Sequence, residues 1–160
     1  MIQEKILIIG AGGQIGVELT LALRKLYGNQ NVVASDIRDA HPLLRDNGPY
    51  AILNAMDVKG IHDLVKSESI TQIYLLAAML SATGEKAPHK AWEINMQSLI
   101  HVLDLGVQEK LTKIYWPSSM AVFGHSTPHD QTPQKTVIEP QTVYGISKYA
   151  GELWCQYYNQ

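Results

Sequence analysis

The residues most able to do chemistry are a tyrosine and a lysine near the end of the chain. Tyr144 and Lys148 are four positions apart, so on a helix they share one face, one turn from each other. A tyrosine phenol has a reference pKa of about 10, and lowering it enough to accept a proton near neutral pH takes about 3 to 4 kcal/mol. A charge about 4 Å away, at an effective dielectric of about 20, supplies roughly 4 kcal/mol. The pair therefore predicts a proton acceptor beside a fixed positive charge.

Two serines supply a hydroxyl for the same chemistry. Ser118 and Ser119 come directly after an apolar run that Pro117 closes, at the edge where open α/β sheets bind ligands. Turn formation and capping are the structural alternatives for such a pair. We expect Ser119 to hold a substrate oxygen and Ser118 to have a structural role.

A glycine-rich turn near the start of the chain indicates a dinucleotide site. Gly10, Gly13 and Gly16 fit the spacing G-x-x-G-x-x-G, whereas G-x-G-x-x-G would put Ile15 at the third glycine. The turn follows an apolar run and opens a helical pattern, so backbone N–H groups and a helix N-terminus can face a pyrophosphate. We expect Gln14 and Ile15, inside the turn, to contact the cofactor as well.

Asp36 stands 20 residues after Gly16, at the end of the second apolar run. Its carboxylate can accept hydrogen bonds from an adenosine ribose and would repel a 2′-phosphate. The position therefore predicts NAD rather than NADP, with Ile37 and Arg38 as neighbouring contacts. Arg38 is the one nearby residue able to weaken that preference.

Apolar runs that alternate with helical patterns must position these groups. Strands are predicted at 5–9, 31–35, 51–55, 72–76 and 112–116, and helices at 14–26, 58–66, 90–109 and 143–158. A long loop is predicted at 124–140. On the first helix we expect Ile15, Leu19, Leu23 and Leu26 to form the buried face. The alternation implies an α/β fold of the Rossmann type, a doubly wound parallel sheet with the first strand at its centre and helices on both faces.

Composition excludes several other classes of protein. The 160 residues are 46% hydrophobic, with 13 basic and 15 acidic side chains, so neither nucleic acid nor an anionic membrane is an expected partner. We expect one soluble domain without a membrane span or signal peptide, in the cytoplasm. Cys155 alone excludes an intrachain disulfide and a multi-cysteine metal cage. Pro128 lies between His125 and His129, so we expect no metal site there.

Together these motifs resemble the extended short-chain dehydrogenases/reductases, the NAD-dependent epimerase/dehydratase family, over essentially the whole chain. The resemblance implies a catalytic triad of Ser119, Tyr144 and Lys148. The resemblance also implies that Tyr144 and Lys148 contact the cofactor. Further cofactor contacts are implied at Asp57, Val58, Leu76, Ala77, Ala78 and Asn95.

A closer resemblance is to the short-chain-type L-threonine 3-dehydrogenases. It is carried by residues 13–19, 34–37, 80–86 and 122–124. The segment 80–86 is unlike the usual loop of sugar-nucleotide epimerases. In that group the serine corresponding to Ser81 contacts the amino-acid substrate. The resemblance therefore implies Ser81, Ser119 and Tyr144 as substrate-binding residues.

The function implied is NAD-dependent oxidation of L-threonine to 2-amino-3-oxobutyrate. Two alternatives stay open: an NDP-sugar epimerase or dehydratase with the same triad, and a non-catalytic NAD-binding regulatory protein. The resemblance also implies a longer full enzyme, in which residues 1–160 are the NAD-binding domain and the last strands and the substrate domain come later. We therefore expect the 160-residue chain to be inactive alone, and to form a homodimer through the helices near 90–109 and 143–158.

Overall fold

A five-stranded parallel sheet organises the computed structural model, which describes residues 4–160. Its strands are β1 (Ile6–Ile9), β2 (Val32–Asp36), β3 (Tyr50–Ile52), β4 (Gln72–Leu75) and β5 (Lys113–Tyr115). They pair in the order β3-β2-β1-β4-β5, with every pairing parallel. The predicted Rossmann-type sheet, with the first strand at its centre, is confirmed.

The α-helices of the described residues are α1 (Gln14–Tyr27), α2 (Pro42–Arg45), α3 (Val58–Ser67), α4 (Ser81–Gly84), α5 (Pro88–Glu109) and α6 (Val143–Tyr158). Short 3₁₀ turns cover Asn29–Asn31 and Met120–Val122. Every predicted strand and long helix is present, while α2, α4 and the 3₁₀ turns were not predicted. Such short elements are only about one turn long and show no periodicity in the sequence. No helix within residues 4–160 has the length and apolar character needed to cross a membrane.

The described chain forms two compact units. The first contains the residues up to Ala77 together with His101–Trp116, and therefore the whole sheet with α1, α2 and α3. The second contains Ala78–Ile100 and Pro117–Gln160, with α4, α6 and the segment after β5. Helix α5 has its first part in the second unit and its last part in the first.

Strand β1 is buried on both faces, as its unbroken apolar run predicted. Ile6 and Ile8 belong to one cluster with Leu23 of α1 and Leu44 of α2. Leu7 and Ile9 point to the opposite face and are buried as well. The sheet of the first unit is therefore covered on both sides at its centre.

The buried face of α1 differs from the prediction. Ile15 and Leu26 are 66% and 76% exposed, and only Leu23 of the expected apolar face is fully buried. The buried positions are Gly16, Thr20, Leu23 and Arg24. Helical spacing identified the helix correctly, but the residue that lies against the preceding turn is Gly16, and Ile15 beside it is exposed.

Arg24 explains why a charged residue lies on that face. Its guanidinium donates to the backbone carbonyls of Val32, Leu44 and Pro49, at 3.3, 2.6 and 2.6 Å. The buried charge is thereby satisfied by backbone oxygens from three segments. These partners are distant in sequence, so no local pattern indicated them.

Candidate active site

The glycine turn between β1 and α1 brings backbone segments unusually close together. Gly10 has a φ of +92°, and a Cβ there would lie 2.5 Å from the backbone nitrogen of Ala77. A Cβ on Gly16 would lie 2.5 Å from the carbonyl oxygen of Gly10. The third glycine therefore lets α1 begin directly against the turn, as the G-x-x-G-x-x-G spacing predicted.

The N-terminus of α1 is suited to an anion. Gly13 is its N-cap, without a side-chain capping bond, and its first turn contains no acidic residue. No anionic side chain of α1 therefore neutralises its free N–H groups or the positive end of its helix dipole. This local arrangement can bind a pyrophosphate.

Asp36 ends β2 with its carboxylate buried beside the glycine turn. Its Oδ2 accepts a hydrogen bond from the Gly12 N–H at 3.0 Å, and its Oδ1 accepts from the backbone N–H and Nε of Arg38 at 3.2 and 3.1 Å. Burial by itself would raise the pKa of Asp36, but these hydrogen bonds from Arg38 and Gly12 hold it below its ordinary value. Asp36 is therefore an ionised acceptor at neutral pH, with Arg38 paired to it.

Gly12 is a site residue that the sequence analysis missed. A Cβ on it would lie 2.9 Å from Oδ2 of Asp36 and 3.1 Å from the Arg38 guanidinium. A side chain at this position would therefore press on the Asp36 carboxylate and the Arg38 guanidinium. The sequence signal for Gly12 was its place next to Gly13, but the motif G-x-x-G-x-x-G includes only Gly13.

Exposed apolar side chains follow three neighbouring strands of the first unit. Ile15 comes after β1, Ile37 after β2 and Val58 after β3, and each is at least 48% exposed. The carboxyl ends of parallel strands share one edge of the sheet, where such side chains can cover a bound nucleotide. Gln14 is exposed in the same turn.

Four more residues that the sequence predicts at the cofactor, Asp57 and the three from Leu76 to Ala78, have structural surroundings that the model describes. Asp57 caps α3, since its Oδ1 accepts from the Gly60 N–H at 2.9 Å. After β4, Ala77 donates its backbone N–H to the Ile9 carbonyl at 3.0 Å, and Leu76 is partly buried. Ala78, the next residue, begins the second unit and is also partly buried.

Lys148 lies beside Tyr144 on α6, in the second unit. Its Nζ is 5.6 Å from the centre of the Tyr144 ring and donates to the Pro117 carbonyl at 2.7 Å. Burial lowers the pKa of Lys148 to about 8. The side chain is therefore still mostly an ammonium at pH 7, close to the aromatic ring.

Ser119 and Tyr144 belong to segments that pack directly against each other. Ser119 caps the 3₁₀ turn, accepting from the Ala121 N–H at 3.2 Å, so its own O–H can still donate. A Cβ on Gly145 would overlap the carbonyl oxygen of Ala121, which shows how closely α6 approaches that turn. Ser118 donates to the Glu152 carboxylate, a structural role as expected.

Asn95 is hydrogen-bonded within the second unit, and its predicted contact with the cofactor stays a prediction. Its Oδ1 accepts from the Met79 N–H at 2.7 Å, and its Nδ2 donates to the Met79 carbonyl and to Ser147 Oγ, at 3.1 and 3.2 Å. Both amide donors are used by the protein. Ser147 in turn donates to the Tyr144 carbonyl at 2.7 Å. Asn95 therefore joins the segment after β4 to the helix that carries Tyr144.

Among residues 4–160, no group of three or more histidine, cysteine, aspartate or glutamate side chains is arranged to hold a metal ion. The candidate chemistry of the described chain is that of a dinucleotide turn in the first unit and a Ser-Tyr-Lys set in the second.

Comparison with known proteins shows the family to which the chain belongs. The model of the NAD dependent epimerase/dehydratase family matches residues 6–160. The chain belongs to this family. NAD is the cofactor of this family. The glycine turn and the Asp36 carboxylate of this chain fit NAD.

Individual relatives divide between two names. The chain is 46% identical over 156 residues to an uncharacterized epimerase/dehydratase of Staphylococcus saprophyticus, covering 97% of this chain and 48% of the relative. It is 55% identical to the holo form of a GalE-like L-threonine dehydrogenase from Cupriavidus necator, with a TM-score of 0.90 over 96% of this chain and 50% of that one. A partial-consensus L-threonine 3-dehydrogenase is 58% identical, with a TM-score of 0.91 over 96% and 49%. The chain spans about half the length of each.

Proposed function

We propose that this family member is the NAD-binding and catalytic part of an L-threonine 3-dehydrogenase of the extended short-chain type, acting in the cytoplasm. The observation that carries the proposal is that the Ser81 segment and the Ser119, Tyr144 and Lys148 set belong to one compact unit, where they attach to the same helix. The identities of 55% and 58% to two threonine dehydrogenases support the choice of substrate. In this proposal, residues 1–160 bind NAD and need a further substrate domain for turnover.

The chemistry follows from the second unit. Tyr144 accepts the proton of the C3 hydroxyl of threonine, while Ser119 donates a hydrogen bond to that oxygen. Lys148 keeps a positive charge near the phenol and holds the cofactor ribose. When bound, NAD supplies the nicotinamide that accepts the C3 hydride. Loss of one proton and one hydride leaves a ketone at C3, so the products are 2-amino-3-oxobutyrate and NADH.

The test is NADH formation by the full-length enzyme with L-threonine, compared with UDP-sugars. Threonine-dependent NADH supports the proposal. Conversion of a UDP-sugar would favour the second candidate, an NDP-sugar epimerase or dehydratase; two relatives are named uncharacterized epimerase/dehydratases. NAD binding without either reaction would instead indicate a regulatory protein.

Asp36 is expected to set the choice of cofactor. Asp36→Asn keeps an oxygen for the Gly12 N–H but removes the negative charge that repels a 2′-phosphate, so the preference for NAD over NADP should fall by about tenfold or more. Titration of both cofactors measures it. Asp39→Asn, an equal charge change at an exposed neighbour, is the control. Equal or tighter binding of NADP by the unaltered protein would contradict the prediction.

Ser81 is expected to contact the amino-acid substrate. Ser81→Ala should raise the KM for L-threonine by about tenfold, the scale of one lost hydrogen bond to a charged ligand, with little change in the KM for NAD. Thr83→Ala removes a hydroxyl from the same short helix and should change neither value. Unaltered threonine kinetics in the Ser81 variant would remove this residue from the site.

We also propose that two copies associate through α6. Ala150, Leu153, Trp154 and Tyr157 follow a helical stripe, and the last three are 39% to 65% exposed. The Trp154 ring lies edge-on to that of Tyr157, with centroids 5.8 Å apart. Such a stripe can pair with its own copy in a homodimer.

Sedimentation at micromolar concentration tests the dimer. The unaltered protein should sediment as a dimer or larger, and Tyr157→Glu should shift it toward the monomer. Leu26→Glu introduces the same charge on the exposed side of α1 and should leave the association unchanged. A monodisperse monomer of the unaltered protein would refute the homodimer.

A further inference from the structure

The segment from Met79 to Glu85 is attached to the Tyr144 helix near both of its ends. At one end, the Met79 backbone makes two hydrogen bonds with the Asn95 side chain, which also donates a hydrogen bond to Ser147 of α6. Asn95 and Ser147 are buried, at 2% and 0% exposure. The short helix that begins with Ser81 lies between this end and the next attachment.

At the other end, Glu85 reaches the first residue of α6. Its Oε1 accepts from the Val143 N–H at 2.8 Å, and a Cβ on the preceding Gly84 would lie 3.4 Å from a methyl carbon of Val143. Val143 directly precedes Tyr144. This contact therefore fixes the distance between the Ser81 segment and the start of the helix that carries the phenol.

Helix α6 does not need Glu85 in order to begin. Thr142 already caps it, since its Oγ1 accepts from the Gly145 N–H at 3.0 Å. The Val143 N–H is one of the amides that every helix start leaves without an internal partner, and water can serve it at an exposed position. The carboxylate from 58 residues away therefore adds a connection rather than a cap that the fold lacks.

We propose that Glu85 is a positioning residue that holds Ser81 at the right distance from Tyr144 and so sets the affinity for the amino-acid substrate. This inference rests on the proposed threonine dehydrogenase function. Glu85 itself does not touch the substrate; it acts through the Val143 amide. The acceptor oxygen, rather than the charge, is the property that matters, so glutamine can replace it.

The experiment compares Glu85→Ala and Glu85→Gln in the full-length enzyme, with Glu93→Ala as an exposed control on α5. Glu85→Ala should raise the KM for L-threonine at least fivefold, with the KM for NAD and the melting temperature nearly unchanged. Glu85→Gln should stay within about twofold of the unaltered enzyme, because its amide oxygen can still accept. An alanine variant with unaltered threonine KM, or a glutamine variant as impaired as alanine, would overturn the proposal.

A second readout separates this proposal from the choice of substrate. Hydrogen exchange at the Val143 amide should accelerate at least tenfold in Glu85→Ala and stay near the unaltered rate in Glu85→Gln and Glu93→Ala. If the unaltered enzyme does not oxidise threonine, the proposed function fails, and with it the role in threonine binding. The exchange rates still decide whether Glu85 holds the segment, and an unchanged Val143 rate would refute that connection.

Discussion

Replacing Tyr144 by phenylalanine is expected to lower kcat for L-threonine oxidation by about 100-fold or more, the usual scale of a lost acid–base group. The variant keeps the ring, whose centre lies 5.6 Å from Lys148 Nζ, and removes only the phenolic oxygen that, once deprotonated, accepts the substrate proton. NAD binding should therefore change little. Steady-state kinetics with threonine and a separate NAD titration measure the two effects.

Tyr149→Phe is the matched control for this prediction. Tyr149 lies on the same helix and loses the same hydroxyl, so its kcat should stay close to that of the unaltered enzyme. A Tyr144→Phe enzyme that keeps most of its activity would show that another group accepts the proton. A loss of NAD affinity in the same variant would indicate a binding role for the phenol instead.

The parts of the site that the sequence revealed are those fixed by local chemistry. The glycine spacing, the apolar strand before it and the Tyr144/Lys148 separation are all short-range, and the predicted bounds of α6 match the structure. Asp36 was found because the end of β2 follows from an apolar run. Such features need no information about which distant segments meet.

What the sequence did not reveal depends on contacts between distant segments. Arg24 is buried because carbonyls from Val32, Leu44 and Pro49 converge on it. Asn95 was predicted at the cofactor, and no sequence pattern indicated that its amide hydrogen-bonds with Met79 and Ser147. An amide side chain can donate and accept, so only its neighbours in the fold show which protein groups it meets.

Gly145 also owes its role to a contact between distant segments. Gly145→Ala is expected to lower kcat by about 100-fold. An added Cβ would overlap the Ala121 carbonyl oxygen and lie 3.0 Å from Pro140 Cβ, so α6 and the 3₁₀ turn must separate. Ser119 caps that turn through the Ala121 N–H, so its hydroxyl moves with it. A misplacement of about 1 Å between groups that act on one oxygen is enough for such a loss.

The same substitution should leave the helix itself intact, because alanine favours a helix interior by about 1 kcal/mol over glycine. Circular dichroism should therefore show unchanged helix content while kcat for threonine falls. Ile146→Ala changes the adjacent residue on the exposed side of α6 and should keep nearly full activity. A folded Gly145→Ala enzyme with unaltered kcat would show that close contact between α6 and the Ser119 turn is not required, and the assignment of Ser119 to the substrate oxygen would lose its structural support.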